Sequence, residues 1–518
     1  MYLTATPDFA SIQWGDPADA ERDWWLDRTH CPVALPPLPA ALFGEWIAAG
    51  LNARLITVNG YVFMADDAEP RAADFGVPPV QVWDERAPGV VQTPCLAIRL
   101  RQYDESDVRA AHEALEAALA ESAAAFTFTM EVAGALFPLA GRLVGFCTSV
   151  VGPSGPLEAA TIVGDGNNVT LESAAGLEQL AEMARADPSV ASLVRSGDVG
   201  ALRSAPQAAA FSRAFDAYLE RFGWRCQEWT DLHRPPWADE PHIPLAIVAR
   251  YLDSPEQRPS ASFGRARAAR AEAIARIEAA IGESARVQEF RGLLASLEGA
   301  QRVIEERSHW QMLLFAALRQ PVLALGRALV RAGFIRQPDD VHFLSLAELR
   351  ELAYGGSAAD AVAVVATRRG QLAEWERLHA PISIGKSGVR QTPPPEWGSA
   401  SDEGHGGPVG QRVLKGVGVS RGVVSGRART AGSLEAAEKA IEPGDILVCR
   451  STSPPWTPLF AVAGGIVTDA GGMLSHAAIT AREYGIPAVT NTGRATLEIP
   501  DGARVTVDGA AGTVIIHD

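Results

Sequence analysis

A chain of 518 residues exceeds what one ordinary hydrophobic core can organise and is expected to divide into two or more domains. Its 47% hydrophobic and 21% charged residues are a soluble globular composition, and the formal net charge of −16 repels nucleic acid and anionic membrane surfaces, with no basic patch to reverse it. The opening "MYLTATPDFASIQWGDPADAERDWW" has neither a basic start nor a long apolar stretch, and no run of about 18 apolar residues is evident, so a cytoplasmic protein is expected. Cys31, Cys95, Cys147, Cys226 and Cys449 are scattered and never spaced CxxC, which excludes a disulfide framework and a zinc site.

In chain order, residues up to about 105 are mixed: "ALFGEWIAAGL" reads as helix, and "ARLITVNGYVFMA" as a hairpin turning at Asn59-Gly60. The pattern then becomes helical and Ala-rich to about residue 380. In "EFRGLLASLEGAQRVIEERSHW", Leu293, Leu297, Ala300 and Ile304 recur at steps of three and four, one face of a buried helix. Breakers in "DLHRPPWADEPHIP" predict a structured loop from Asp231 to Pro244. Residues 390–411 are rich in Pro, Gly and Ser without apolar periodicity and read as a linker able to let the following region swing. From 412 to 518, short β-branched runs separated by glycine turns, with helices at "SLEAAEKAI" and after Ser475, describe a small α/β domain.

Within that domain "GGMLSHAAITAREYGIPAV" holds one histidine. Ser475 suits a helix N-cap and Gly485 the position after the helix, which places His476 in the first turn of a short helix. The helix end disfavours an imidazolium and welcomes an anion, and both effects suit a ring that attacks phosphorus and then carries a phosphoryl group. Gly471 and Gly472 remove side chains where a phosphate donor would approach. Taken alone, a single histidine near a helix start is more usually a satisfied surface or core residue.

The run from "GDILVCRSTSPPWTPLF" through "GGMLSHAAITARE" to "DGAAGTVII" resembles the swivelling phosphohistidine domain of the phosphoenolpyruvate-utilising enzymes, which include phosphoenolpyruvate synthase and pyruvate phosphate dikinase. The resemblance implies that His476 is the phosphoryl carrier, with Gly471, Gly472, Ser475 and Arg482 in its loop and helix. One departure is Leu474, where the dikinase-like pattern has Thr, so a hydroxyl at that position is not implied here. Upstream, "WWLDRTHCPVALPPL", "RFGWRCQEWTDLHRPPWADEPHIP" and "LRQPVLALGRALVRAGFIRQPDDVHFLSLAELREL" appear in order and resemble the acceptor-binding region of rifampin phosphotransferase and of the phenylphosphate synthase large subunit. The implied architecture is multidomain α+β. A large, mostly helical acceptor-binding domain over 1–389, with its small mixed N-terminal part, is followed by the linker 390–411 and the swivelling phosphohistidine domain 412–518.

Those enzymes draw the phosphoryl group from ATP through an ATP-grasp domain, for which this chain leaves no room ahead of the acceptor region. "HAPISIGKSG" is no substitute, because Ala380 stands where a P-loop needs glycine. The expectation is therefore a split enzyme: a separate ATP-grasp subunit holds ATP and Mg2+ and charges His476, this chain binds no cofactor or metal of its own, and the charging step releases AMP and phosphate. On the acceptor side, Glu306, Arg307 and His309 fall within one turn, with Arg319 three turns on, and could activate a hydroxyl or steady a transferring phosphoryl group. The same residues equally suit a solvated helix face, since Glu305 and His309 are spaced i,i+4. Asp231, His233, Lys386 and Arg390 are weaker candidates, with turn capping more natural for the loop pair. The tryptophans suit either a pocket for a small hydroxylated aromatic substrate or an ordinary core. An alternative function is a phosphocarrier or regulatory protein that relays phosphate to another protein.

Overall fold

In the computed structural model, the described residues are 2–517 apart from 29, 52, 66–72, 164–167, 227–231, 254–258, 283, 357–359, 392–411 and 474. They fall into two compact units: Met1–Ala135, Glu228–Pro235 and Trp310–Thr392 form one, and Leu136–Gln227, Pro236–His309 and Pro393–Asp518 the other. The division does not follow residue 389, because helical residues 136–309 group with the C-terminal sheet. Nearly all of the linker 390–411 lies outside the described residues.

The first unit carries a five-stranded sheet in the order Tyr2–Leu3, Leu55–Val58, Tyr61–Ala65, Asp23–Leu26, Ser383–Gly385. The Leu55–Val58 and Tyr61–Ala65 hairpin turns at Asn59 (φ 49°) and Gly60 (φ 77°), the pair of left-handed residues that a two-residue hairpin needs. Asn59 tolerates this strain because its side chain both accepts from Ala5 N and donates to Ala5 O. Trp24 is fully buried and donates through Nε1 to the Asp19 carbonyl at 2.8 Å, so this tryptophan is core.

Leu293, Leu297, Ala300 and Ile304 are all buried, as the periodicity predicts, but on two helices rather than one. Ser284–Leu297 stops before Gly299, whose φ of 76° breaks the helix, and Ala300–Arg331 starts anew. Two helical stretches, Val108–Val163 and Ala285–Arg331, are long and apolar enough to cross a membrane by length and composition, contrary to the expectation that no such run exists. In the second, 72% of the apolar window is buried inside the protein, the packing of a core helix. All five cysteines are buried, and none is joined in a disulfide among the described residues.

In the second unit an eight-stranded sheet runs Arg412–Lys415, Thr513–His517, Arg504–Asp508, Val423–Ala431, Ile446–Cys449, Gly465–Thr468, Ala488–Thr490, Val417–Ser420. The four strands from Val423–Ala431 to Ala488–Thr490 are parallel, and the three on one side and the one on the other pair antiparallel. Parallel strands require crossovers, and helices Leu434–Ala440, Thr457–Phe460 and His476–Tyr484 lie in them. Alternation divides the side chains between two faces. Ile446, Val448, Val467 and Val489 join Val505, Val507 and Val514 in one cluster. Leu447, Cys449, Ile466 and Ala488 join a larger one containing Phe460 and Tyr484 together with Phe211, Phe215, Tyr218 and Tyr251 of the helical segments. The C-terminal sheet and the helices of 136–309 thus share a core. Around it Tyr251 donates to the Pro458 carbonyl at 3.0 Å, Gln301 to Glu483 at 2.8 Å, and Arg421 pairs with Glu158 at 2.6 Å.

Gly509 shows how tightly the sheet closes: a Cβ there would stand 1.8 Å from the Ser420 carbonyl oxygen, backbone that cannot swing aside. Gly509→Ala is expected to destabilise the chain by about 3 kcal/mol, whereas Gly432→Ala, with nothing within 4 Å of the added carbon, is expected to change stability by less than about 0.5 kcal/mol. Urea unfolding of the two variants checks the contrast.

Candidate active site around His476

His476 opens the helix His476–Tyr484 immediately beyond the carboxyl end of the parallel strand Gly465–Thr468. Ligand sites in parallel sheets form at such ends, where helix N-termini converge. The approach is fixed by backbone: Asp469 N donates to Cys449 O and Ala470 N to Arg450 O, and the Asp469 carboxylate accepts from Thr496 N. Gly471 then turns at φ 112°, where an added Cβ would meet Ser475 Oγ at 2.8 Å, so this glycine is required by the loop's own fold. Gly472 has nothing within 4 Å of such a carbon and accepts from Ser475 N. Ser475 caps the helix by accepting from Ala478 N, and Gly485, at φ 66°, closes it. Arg482 is half-buried and donates to Val419 O and Met473 O, tying the loop to the neighbouring strand; desolvation pushes its guanidinium down to about 10. Leu474 lies outside the described residues.

The imidazole is held on both edges. Nε2 stands 3.2 Å from Thr457 Oγ1 and 3.3 Å from Thr480 Oγ1, and the side chain is 12% exposed. Thr457 opens the short crossover helix Thr457–Phe460 that follows the adjacent parallel strand Ile446–Cys449, and Thr480 lies one turn along the same helix as His476. On the other edge Nδ1 faces Glu305 Oε2 at 3.9 Å, an ion-pair separation beyond direct hydrogen-bond length. Glu305 is itself buried and accepts from Thr170 Oγ1 at 2.5 Å. Burial raises its carboxyl, but His476, the Thr170 hydroxyl and Arg225 outweigh that and hold it below the usual carboxylate range. An ionised Glu305 favours the tautomer with the proton on Nδ1, which leaves the Nε2 lone pair as acceptor of the two threonine hydroxyls. A ring in that tautomer, with its Nε2 lone pair oriented, is arranged as a nucleophile.

Behind Glu305 lie further buried charges. Arg307 is pushed down to about 10 by burial, with Glu305 acting in the opposite sense. His309 is pushed well below its ordinary value by burial and by Arg225 and Arg221, so it is neutral, with Trp224 and Phe222 at 5.3 and 6.0 Å on its ring. Arg225 is fully buried between Phe222 and these residues.

The sequence candidates therefore separate. Arg307 and His309 belong with Glu305 in the unit that contains His476. Glu306 does not join them: it is partly exposed and paired with Arg302 one turn earlier at 3.0 Å. Arg319 and His233 belong to the other unit, where Arg319 donates to the carbonyls of Leu232 and His233 and pairs with Asp339 at 2.9 Å, a clamp on the loop. Lys386 is exposed opposite Glu21, and Arg390 extends the sheet edge through Ser383 with its guanidinium over Trp25. Asp231 lies outside the described residues. Glu305 and Arg225 were not singled out by sequence. Glu305 looks like an intrahelical partner for His309, and the signal that distinguishes it is its place beside Ile304 on the buried side of the helix. Among the described residues no three or more His, Cys, Asp or Glu are placed to share a metal ion.

Comparison with known proteins fits this geometry. Residues 441–512 match the family "PEP-utilising enzyme, mobile domain", and residues 122–307 match "Rifampicin phosphotransferase fourth domain". The chain thus joins a phosphoenolpyruvate-utilising mobile domain to a helical domain of the rifampicin phosphotransferase type. It is 31% identical to a rifampicin phosphotransferase of a Streptomyces species over 67% of this chain and 40% of the relative. It is 52% identical to the phosphoenolpyruvate synthase of Aeropyrum pernix over 21% of this chain and 13% of that protein. Chondramide synthase cmdD of Chondromyces crocatus is 27% identical over 99% of this chain, which spans 14% of its length. The chain therefore spans well under half of these relatives.

Proposed function

We propose that the chain is the phosphohistidine-bearing part of an ATP-dependent, dikinase-type phosphotransferase. His476 takes a phosphoryl group from an ATP-grasp domain on a separate subunit, where ATP and Mg2+ are held. It passes the group to a hydroxyl of a small aromatic or polycyclic compound bound by the remainder of the chain. The observation that carries this reading is the two-sided grip on the ring: Thr457 and Thr480 orient Nε2, while Glu305 stands behind Nδ1. In loading, the Nε2 lone pair forms a bond to phosphorus as the donor's P–O bond breaks. In discharge, the acceptor oxygen bonds phosphorus, the N–P bond breaks with its electrons returning to Nε2, and the hydroxyl proton leaves to a base. Developing imidazolium character is favoured by Glu305 in the first step, and the neutral ring is restored in the second. Enclosure of the ring limits loss of the group to water.

The test is to incubate the purified chain with ATP and Mg2+, with and without a co-encoded ATP-grasp protein, and to weigh the intact chain before and after adding phenols. Expected is a phosphoryl increment only with the partner, removed by a hydroxylated aromatic compound with formation of its phosphate ester. ATP-dependent turnover by the chain alone would overturn the split arrangement. Discharge to a protein and to no phenol would favour the phosphocarrier alternative.

A further inference from the structure

Arg225 is 0% exposed, and none of its three guanidinium nitrogens has a hydrogen-bond partner among the described residues. A buried guanidinium has five N–H donors to satisfy, and leaving them unmet is among the more costly defects a folded chain can carry. Other enclosed arginines do not share the defect in full: half-buried Arg482 donates to two carbonyls, and buried Arg319 to two carbonyls and a carboxylate. Local folding does not leave Arg225 free to escape to solvent. Its backbone is pinned by Arg225 N to Phe222 O at 3.3 Å and by Trp237 N to Arg225 O at 2.9 Å, and the Phe222 ring lies 5.5 Å from the guanidinium carbon. Its charged neighbourhood holds Glu305, the carboxylate that faces the reacting histidine.

We infer that Arg225 is a phosphoryl-binding residue, whose unmet donors take the oxygens of a tetrahedral phosphate presented beside Glu305 as the ester of the acceptor. A planar, always charged fork matches two phosphate oxygens at once, which a lysine or a neutral donor does not. The assignment also resolves an electrostatic difficulty. A phosphoryl dianion beside an ionised Glu305 is repelled in a poorly screened interior, and a buried cation in the same neighbourhood offsets that repulsion. The choice of phosphate rests on the proposed function; the unsatisfied cation does not.

Binding can be read without any transfer chemistry. Full-length His476→Ala protein is melted at constant ionic strength with chloride, inorganic phosphate or phenyl phosphate, alone and combined with Arg225→Met or Arg225→Lys. Expected is a saturating rise of about 3 °C or more with phosphate or its ester. The rise is lost in R225M and reduced in R225K, and R225M in chloride melts no lower than its parent, because a buried group with no hydrogen-bond partner has been removed and Arg307 remains beside Glu305. A response to phenyl phosphate alone assigns the ester product, and a response to both anions assigns the phosphoryl group itself. Persistence of the rise in R225M, absence of any rise in the parent, or a R225M protein that melts well below the parent in chloride would each overturn the inference, the last by making Arg225 structural. Since the parent lacks His476, this outcome is independent of whether the chain can be charged from ATP.

Discussion

His476→Gln is expected to abolish phosphoryl loading altogether, with no phosphorylated peptide recovered after incubation with ATP, Mg2+ and the ATP-grasp partner, while the protein melts as the wild type does. The expectation of a total effect follows from covalency: the transferred group is bonded to one atom, Nε2, and an amide at that position has no comparable lone pair. That the fold should survive follows from the ring's surroundings. It is not a core residue packed on all sides; its polar contacts are two threonine hydroxyls and a carboxylate at longer range, and a glutamine offers groups for them. A phosphorylated H476Q chain would place the carrier elsewhere and remove the foundation of the proposed function.

The second large effect concerns Glu305. Glu305→Ala deletes the acceptor of Thr170 and the carboxylate beside Arg225 and Arg307, and a buried cation stripped of its counter-charge costs about 3 kcal/mol or more. Glu305→Gln keeps the shape and separates the roles. It should fold, yet load His476 on the order of 100-fold more slowly, because the developing imidazolium loses its anion. The pH dependence supplies a sign. Glu305's carboxyl lies below its ordinary value in the folded chain, so its contribution is fully present above the unfolded value of about 4.3 and is lost as pH falls through the lower folded value. The stability gap between wild type and E305Q, from urea unfolding, should be widest near neutrality and narrow below about pH 4. An E305Q protein that loads as fast as the wild type would reduce Glu305 to a structural partner of Thr170.

Much of this molecule is legible in its sequence where a local rule decides the outcome. Asn59-Gly60 makes a hairpin because few other pairs accept two left-handed residues, and Ser475 and Gly485 bracket a helix because one caps and the other reverses. The β-branched runs after residue 412 form strands, and the histidine sits where the helix signals place it. What escapes reading depends on distant partners. Glu305 and His309 have the spacing of an ion pair, yet Glu305 faces His476 and Thr170, and His309 packs against Trp224 and Phe222. Arg225 follows a helix end with no periodicity to mark it as buried, and Arg319 looks reactive in sequence but is consumed by backbone carbonyls. The grouping of residues 136–309 with the C-terminal sheet is likewise invisible in composition, because breakers reveal where a chain is loose and not which surfaces it shares.

The histidine's partners differ in origin. Thr457 and Thr480 are built into the same sheet-and-crossover framework as His476, whereas Glu305 is on a helix of the other layer of the shared core. The hydroxyls are thus set by the ring's own crossovers, and the carboxylate by the packing of one layer on the other. Any change in how those two layers pack therefore alters the distance of the carboxylate while leaving the orienting hydroxyls in place, so that one edge of the ring is fixed by its own framework and the other by the layer opposite.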